Sequence, residues 1–96
     1  MSKPALSLSK GTAAAMIFWV YMLACADGRY YTGHTNDLEK RLAEHTAGLV
    51  DAFTRDRRPV RLVFCEEFQT RDQALERECQ IKGWNRAKKE ALIARD

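Results

Sequence analysis

The chain has 96 residues, of which 46% are hydrophobic and 30% charged, and its formal net charge is +3. This length allows one domain with a modest core, and the composition excludes both a disordered chain and a membrane-spanning protein. The basic residues cluster whereas the acidic residues are scattered. The clusters are Arg55, Arg57, Arg58 and Arg61, followed by Lys82, Arg86, Lys88 and Lys89. Two such clusters on a small domain permit phosphate binding, although solvated loops and helix faces explain them equally well.

The N-terminal part of the chain allows two interpretations. Residues 1–15 are expected to form a disordered extension of a single domain at residues 16–96, with Met16 as an alternative start. The apolar run at residues 13–26, preceded by two lysines, also resembles the core of a signal peptide, as in an exported lipoprotein. The run is too short to span a membrane, and its second half has the β-branched and aromatic composition of a strand. We therefore interpret this run as a strand and expect a cytoplasmic protein. The three cysteines lack the spacing of a disulfide framework or a metal site, which agrees with a reducing compartment.

Alternating and helical patterns predict the elements in the order ββαβαα. Strands are expected at residues 17–25, 29–33 and 60–66, the last with Val60, Leu62 and Phe64 alternating against Arg61, Val63 and Cys65. The predicted helix starts are Asn36, Thr70 and Asn85, and the predicted ends are Gly48, Lys82 and Ala94. This order predicts a small α+β domain, in which helices flank a three-stranded, mostly antiparallel sheet.

The first two strands form a predicted hairpin with a tyrosine on each arm. A two-residue turn would place Tyr21 and Tyr31 on opposite faces of the sheet, because side chains alternate along a strand. A three-residue loop ending at Gly28 would place them on the same face and pair Tyr21 with Gly33. This loop needs a left-handed last residue, which glycine supplies. The pattern therefore favours convergence of the two phenols, although two aromatic residues that fill a core face remain an alternative.

Three polar residues stand out within the predicted helices. Arg41 and His45 are four residues apart and therefore share a helix face. Glu78 falls within the apolar stripe of the next helix, where an unpaired carboxylate costs several kcal/mol. Either a metal ion or an ion pair with Lys82, one turn further on, would remove this cost.

Taken together, these residues resemble the GIY-YIG nuclease domain over residues 17–94. The first motif reads "VYM", the second "YTG", and the segment "ALERECQIKGWNRAKKEALI" resembles the C-terminal part of small stand-alone bacterial members. The matching site positions, in the order and at the spacings of the family, are Tyr21, Tyr31, Gly33, Arg41, His45 and Glu78.

The resemblance implies a role for each of these side chains. Glu78 would be the single protein ligand of one Mg²⁺ or Mn²⁺ ion, and Mg²⁺ indeed takes few carboxylates because it keeps most of its water. Arg41 would hold the scissile phosphate. Tyr21, Tyr31 and His45 would position or deprotonate the attacking water. With ordinary pKa values near 10 and 6.5, a tyrosine base needs its pKa lowered whereas a histidine base does not.

The first motif keeps only its tyrosine, and the chain departs from the family pattern at three further positions. Thr32 replaces an isoleucine, His34 replaces the lysine of the repair-incision relatives, and Asn85 comes earlier than the late asparagine of those relatives. The residues expected to contact nucleic acid are His34, Arg55, Arg57, Arg58, Arg61, Lys82, Asn85 and Lys88.

The resemblance implies an endonuclease that hydrolyses DNA with the help of a divalent metal ion. Because no DNA-reading motif is evident, selectivity should come from the shape of branched or otherwise distorted DNA, or from a targeting protein partner, rather than from base contacts. The alternative is a catalytically inactive module that binds nucleic acid through its basic clusters.

Overall fold

The computed structural model describes residues 16–95, so the extension predicted for residues 1–15 lies outside the described residues. The elements are β1 (Phe18–Ala24), β2 (Tyr30–Thr35), α1 (Leu38–Ala47), α2 (Ala52–Arg55), β3 (Arg61–Phe68), α3 (Arg71–Lys82) and α4 (Arg86–Arg95). The strands form one antiparallel sheet in the order β2-β1-β3. The predicted α+β fold is confirmed, but the sequence prediction missed α2, which lies in the expected basic loop.

The apolar run near the N-terminus supplies the central strand of the sheet. Four consecutive residues of β1, from Val20 to Leu23, are buried, which happens when both faces of a strand are covered. This explains why β1 reads as a continuous apolar segment instead of alternating with polar residues. None of the helices within residues 16–95 has the length and apolar character that crossing a membrane requires.

The two faces of the sheet pack against different helices. On the face that we call the α1 face, Tyr21 and Leu23 pack with Leu38 and Leu42 of α1. On the opposite face, the α3 face, Val20 and Met22 pack with Phe64 and with residues of α3 and α4, namely Ala74, Ile81 and Leu92. A side chain on the central strand therefore belongs to one of two separate clusters.

The β1–β2 hairpin has the predicted three-residue loop. The backbone N–H of Cys25 donates to the carbonyl of Arg29 at 2.8 Å, and Gly28 has a φ of 90°. In the resulting register Tyr21 pairs with Gly33 and Leu23 with Tyr31. Both phenols therefore lie on the α1 face, as the glycine at the end of the loop predicted.

Most predicted helix termini are confirmed. Thr70 Oγ1 and Asn85 Oδ1 accept the expected N–H groups at 3.1 and 2.9 Å, and Gly48 ends α1 in the left-handed conformation. The predicted cap of α1 was wrong by one residue. Asp37, not Asn36, is the cap, and its carboxylate accepts from the N–H of Lys40 at 3.1 Å. A carboxylate at this position also interacts favourably with the helix dipole.

The predicted alternation along β3 is wrong because the strand carries an irregularity. Met22 pairs with Phe64 and the next residue, Leu23, pairs with Leu62, so Val63 is an extra residue opposite β1. Such a β-bulge reverses the inside-outside order on one side of it. Val63 and Phe64 consequently pack into the same cluster, whereas Leu62 is 37% exposed.

Candidate active site

Two phenols and an imidazole meet on the α1 face. The rings of Tyr21 and Tyr31 lie 6.3 Å apart between centroids, and His45 of α1 lies 5.0 Å from the ring of Tyr31. The Tyr21 hydroxyl is 2.9 Å from Nε2 of His45. Tyr21 and His45 are both fully buried, whereas Tyr31 is partly exposed. The predicted convergence of the two phenols is therefore seen in the structure, and His45 lies with them.

Gly33 allows the Tyr21 ring to reach across β2. A Cβ atom at Gly33 would lie 2.7 Å from the Tyr21 hydroxyl oxygen and 2.9 Å from Cζ, much closer than such atoms approach. The ring therefore fills the space that a side chain on β2 would occupy. Because β2 is an edge strand, the phenol of a central strand is brought towards the edge of the sheet.

Thr54 is a member of this cluster that sequence reasoning missed. Its hydroxyl lies 2.8 Å from Nδ1 of His45, and the threonine is fully buried. It lies in α2, which occupies one turn inside a segment read as a basic loop. The only sequence signal was Asp51, three residues earlier, whose side chain caps α2 by accepting from the N–H of Phe53 at 2.8 Å.

The protonation states follow from burial. Burial and the Arg41 charge lower the pKa of His45, although Asp51 and Glu44 act in the opposite direction, so the imidazole is neutral at pH 7. Burial raises the pKa of Tyr21 and that of Tyr31 above the ordinary value, and in Tyr21 it outweighs the opposing effect of Arg41. The lowered pKa that a free tyrosinate base needs is therefore absent from this arrangement, and the neutral histidine is the better proton acceptor.

Arg41 lies one helical turn before His45 on α1. Its side chain is 35% exposed, and its Nε donates to Glu44 at 3.2 Å. Its positive charge acts on Tyr21, Tyr31 and His45, which places the guanidinium beside the cluster. A partly exposed ion pair of this kind is weak, so Glu44 does not prevent Arg41 from binding an anion.

Glu78 is buried, with 7% of the residue exposed, and two basic side chains bind its carboxylate. Oε2 accepts from Lys82 Nζ at 2.7 Å, and Oε1 contacts Nδ1 of His34. The hydrogen bond to Glu78 also raises the pKa of Lys82. The ion pair that the sequence left open as an alternative to a metal ion is thus present, and His34 joins it.

Glu78 and the phenols lie on opposite faces of the sheet, and Lys82, which binds Glu78, lines a depression together with Tyr31 at the edge. His34 follows Gly33 on β2, so its side chain points to the α3 face, from which α3 presents Glu78. The Glu78 charge nevertheless acts on Tyr21 and Tyr31. A depression of about 210 Å³ lies at this edge. Its lining residues are Tyr30, Tyr31, Thr32, Phe53, Lys82 and Lys89.

The residues present fit a divalent cation held by one carboxylate. Residues 16–95 contain no group of three or more His, Cys, Asp or Glu side chains arranged to hold a metal ion. Mg²⁺ nevertheless needs only one or two carboxylates when water and phosphate complete its coordination. Glu78 offers a buried oxygen ligand, and the side chain of its partner Lys82 is 56% exposed and free to turn away.

Several residues that were predicted to contact nucleic acid have structural partners. Besides His34 and Lys82 on Glu78, Arg55 pairs with Asp56 at 3.0 Å and Arg58 donates to the carbonyl of Arg55 at 2.9 Å. Arg57 donates to Asp27 and to the carbonyl of Phe53, both at 3.0 Å, and its guanidinium lies 4.0 Å from the centroid of the Phe53 ring. Asn85 caps α4. The other basic residues of this prediction, apart from His34, are exposed: Arg55, Arg58, Arg61, Lys82 and Lys88.

Comparison with known proteins gives consistent matches over this domain. The sequence profile of the GIY-YIG catalytic domain matches residues 17–91. A UPF0213 protein of Natronomonas pharaonis is 50% identical over 76 residues, which are 79% of this chain and 89% of the relative. A UPF0213 protein of Bacillus pumilus is 47% identical over 75 residues, covering 78% and 76% of the two chains.

Solved structures show the same fold. The solution NMR structure of a UPF0213 protein from Bacillus halodurans superposes with a TM-score of 0.55 at 39% identity, over 82% of this chain and 84% of that one. A solution NMR structure of a protein from E. faecalis gives a TM-score of 0.56 at 36% identity, over 78% and 80% of the two chains. The chain therefore belongs to the GIY-YIG catalytic-domain family, a family of nucleases that generally use divalent metal ions.

Proposed function

We propose that the protein is a metal-dependent endonuclease that hydrolyses DNA phosphodiester bonds and selects DNA by its shape. The observation that carries this proposal is the hydrogen bond between the Tyr21 hydroxyl and the buried imidazole of His45. The charges of Arg41 and Glu78 both act on Tyr21, the first lowering and the second raising its pKa. A general base, a phosphate ligand and a metal ligand are the groups that phosphodiester hydrolysis requires.

Tyr21 and His45 together provide a path for the proton of the attacking water. With Nδ1 protonated, the neutral His45 would accept the hydrogen bond of the Tyr21 hydroxyl at Nε2, and the phenol oxygen could accept one from water. As the water attacks phosphorus, its proton moves to the phenol oxygen and the phenol proton moves to Nε2. The P–O bond to the leaving oxygen breaks, the departing alkoxide takes a proton from solvent, and His45 retains the proton that it received from the phenol. Tyr21 is not required to ionise beforehand, so its raised pKa is no obstacle.

Arg41 supplies the positive charge for the phosphate. Guanidinium groups bind phosphate oxygens through two parallel hydrogen bonds, and they stabilise the charge that develops in the transition state. The exposed part of the Arg41 side chain faces solvent, so its present partner Glu44 can be exchanged for a phosphate at small cost. Tyr31, which packs against His45, would position the water from the more exposed side.

Glu78 would hold one Mg²⁺ or Mn²⁺ ion, with Lys82 displaced and His34 still orienting the other carboxylate oxygen. Such an ion neutralises phosphate charge and polarises the P–O bond when it is bound. The displaced ammonium group of Lys82 remains beside Tyr31, where it can contact the DNA backbone.

The basic surface favours recognition of the DNA backbone. Lys82 and Lys89 line the depression at the sheet edge, and three exposed arginines, Arg55, Arg58 and Arg61, lie between the end of α2 and the start of β3. Lys and Arg contacts to phosphate position a protein on DNA without reading its sequence. We therefore propose branched or otherwise distorted DNA as the substrate, with a protein partner as a further source of targeting.

A catalytically inactive nucleic-acid-binding module is the second candidate. The observation in its favour is that both oxygens of Glu78 already have basic partners, His34 and Lys82, as in a purely structural ion pair. In that case the basic residues at the sheet edge would bind phosphate, and no metal ion would enter.

Cleavage assays on branched, flapped and plain duplex DNA with Mg²⁺ separate the two candidates. We expect wild type to cut, and Arg41→Ala and Glu78→Ala to lose cleavage while they retain DNA binding. Cleavage that is unchanged in both variants would contradict the proposed site. DNA binding by wild type without cleavage of any substrate would favour the inactive module.

A further inference from the structure

We infer that Thr54 is a positioning residue that fixes the tautomer of His45 and thereby the direction of the hydrogen bond from Tyr21. The inference about catalysis rests on the proposed function, whereas the inference about the tautomer concerns the free protein alone. Thr54 touches neither of the groups assigned to the phosphate, Arg41 and Glu78; it acts through the imidazole.

The imidazole of His45 has a different partner at each ring nitrogen. Nε2 lies 2.9 Å from the Tyr21 hydroxyl and Nδ1 lies 2.8 Å from Thr54 Oγ1. A neutral imidazole donates from one nitrogen and accepts at the other. Since hydroxyl groups can do both, these two contacts alone allow either tautomer.

The carbonyl of Asp51 favours one of the two tautomers. Thr54 Oγ1 lies 3.4 Å from this carbonyl oxygen, which can only accept, so the Thr54 hydroxyl proton points to Asp51. The Thr54 oxygen then accepts from Nδ1–H of His45. Nε2 is left with its lone pair and accepts the phenol proton of Tyr21. The chain of donors runs from Tyr21 to His45 to Thr54 to Asp51, and its direction is the one that proton removal from water requires.

The opposite tautomer would reverse the direction of the hydrogen bond between His45 and Tyr21. With a proton on Nε2, His45 would donate to the Tyr21 oxygen, and the phenol proton would point away from the imidazole. The phenol could then no longer pass its proton to His45. A histidine held in the wrong tautomer loses most of its value as a base even when its position is unchanged.

The short helix α2 is anchored so that Thr54 stays against His45. Arg57 donates to the carbonyl of Phe53 and to Asp27 in the hairpin loop, both at 3.0 Å. The carbonyl of Arg57 accepts from the N–H of Ala26 at 2.9 Å. The segment that carries Thr54 is thus attached to the hairpin that carries both phenols.

Charged and titratable groups from several elements surround His45, and three of the charges shift its pKa. These groups are Tyr21 of β1, Tyr31 of β2, Arg41 and Glu44 of α1, and Asp51 before α2. Arg41 disfavours the imidazolium, whereas Asp51 and Glu44 favour it. None of these charges is altered when the Thr54 hydroxyl is removed, so its effect on the tautomer can be measured separately.

The direct test is the ¹⁵N NMR spectrum of the His45 ring in the full-length free protein at pH 7.5. The protein has two histidines, so His34→Gln identifies the signals of His45. We expect the Nδ1–H tautomer in wild type and in Thr54→Ser, which keeps the hydroxyl. In Thr54→Val, which has nearly the same shape without the hydroxyl, we expect a shift towards Nε2–H.

Each outcome bears on the inference. An Nε2–H tautomer in wild type, or an unchanged Nδ1–H tautomer in Thr54→Val, would overturn it. Should Thr54→Val fail to fold, the wild-type spectrum still decides the matter. The predicted spectra together with an inactive wild-type protein would support the positioning role of Thr54 and contradict the proposed nuclease function.

A second readout tests the catalytic consequence. In single-turnover cleavage at pH 7.5 we expect Thr54→Val to be slower than wild type by at least about tenfold, and by no more than the roughly 10²–10⁴-fold that general acid–base catalysis contributes. DNA affinity should be unchanged, and Thr54→Ser should restore most of the rate. An equal loss in the serine variant would mean that Thr54 acts through packing alone, and this would contradict the inference.

Discussion

The Tyr21 hydroxyl lies 2.9 Å from Nε2 of His45, although the two residues are 24 positions apart and belong to different elements. The contact forms because a glycine on β2 lets the Tyr21 ring cross the strand and because α1 covers the same face of the sheet. It is the central contact of the proposed site, since it joins the phenol that would receive the proton of the attacking water to the imidazole that would accept it.

Removing the Tyr21 hydroxyl should abolish this proton path with little effect on DNA binding. For Tyr21→Phe we expect the cleavage rate to fall by about 10²–10⁴-fold, the usual contribution of general acid–base catalysis. Single-turnover kinetics and a DNA-binding titration measure the two effects. Tyr30→Phe is the control, because the Tyr30 hydroxyl bonds Glu90 of α4, outside the cluster. Equal rates for wild type and Tyr21→Phe would exclude the phenol as a participant.

A methyl group at Gly33 should collide with Tyr21. The added Cβ would lie 2.7 Å from the hydroxyl oxygen of a fully buried ring, so we expect Gly33→Ala to lower the free energy of unfolding by about 1–3 kcal/mol. Gly83→Ala is the matched control, since its Cβ would meet nothing closer than 3.6 Å and its φ of −82° suits any residue. Urea unfolding measures both variants. Similar stability of the two would show that the Tyr21 ring is not confined as described.

The buried hydroxyl of Thr32 should reduce stability. Thr32 is 4% exposed, and its Oγ1 has no hydrogen-bond partner within residues 16–95. Because an unsatisfied buried polar atom is costly, we expect Thr32→Val to raise the free energy of unfolding by about 1 kcal/mol. Thr35→Val should have the opposite effect, since the hydroxyl of Thr35 accepts from the N–H of Asp37 at 3.1 Å. Thermal unfolding of both variants shows whether stability rises in the first and falls in the second. Destabilisation by Thr32→Val would show that the Thr32 hydroxyl has a hydrogen-bond partner.

The neutral His45 should make the fold sensitive to acid. Its pKa in the folded state is lowered, chiefly by burial, so the unfolded chain binds a proton more readily. The free energy of unfolding should therefore fall as the pH drops below the unfolded pKa of about 6.5, and the loss is complete below the folded pKa. Urea unfolding between pH 8 and pH 5 should show a steeper fall for wild type than for His45→Gln. Parallel curves would mean that burial does not lower the pKa of His45.

The sequence predicted those features that depend on local rules. The left-handed Gly28 determined the hairpin register, and this register in turn placed Tyr21 and Tyr31 on one face. Capping residues marked the starts of α3 and α4. Glu78 stood out because a carboxylate in an apolar stripe needs a partner, and the structure supplies two, His34 and Lys82.

The features that depend on tertiary contacts could not be predicted. The bulge opposite Met22 follows from how β3 fits both core clusters, and alternation along one strand does not reveal it. α2 is too short to give a periodic signal, so Thr54 went unnoticed. Arg57 appeared in a basic run as a phosphate ligand, but the fold gives it Asp27 and Phe53 as partners. The raised phenol pKa of Tyr21 likewise depends on burial, which only packing determines.

The central claim is that Arg41 and Glu78 bind one ion-bound phosphate beside the Tyr21–His45 pair. Anomalous diffraction from crystals of the protein with Mn²⁺ and a short DNA strand tests it most directly. We predict one manganese peak about 2 Å from a carboxylate oxygen of Glu78, with a phosphate between the ion and Arg41, and no peak there in Glu78→Gln. A manganese ion bound elsewhere, or the same peak in Glu78→Gln, would contradict the account.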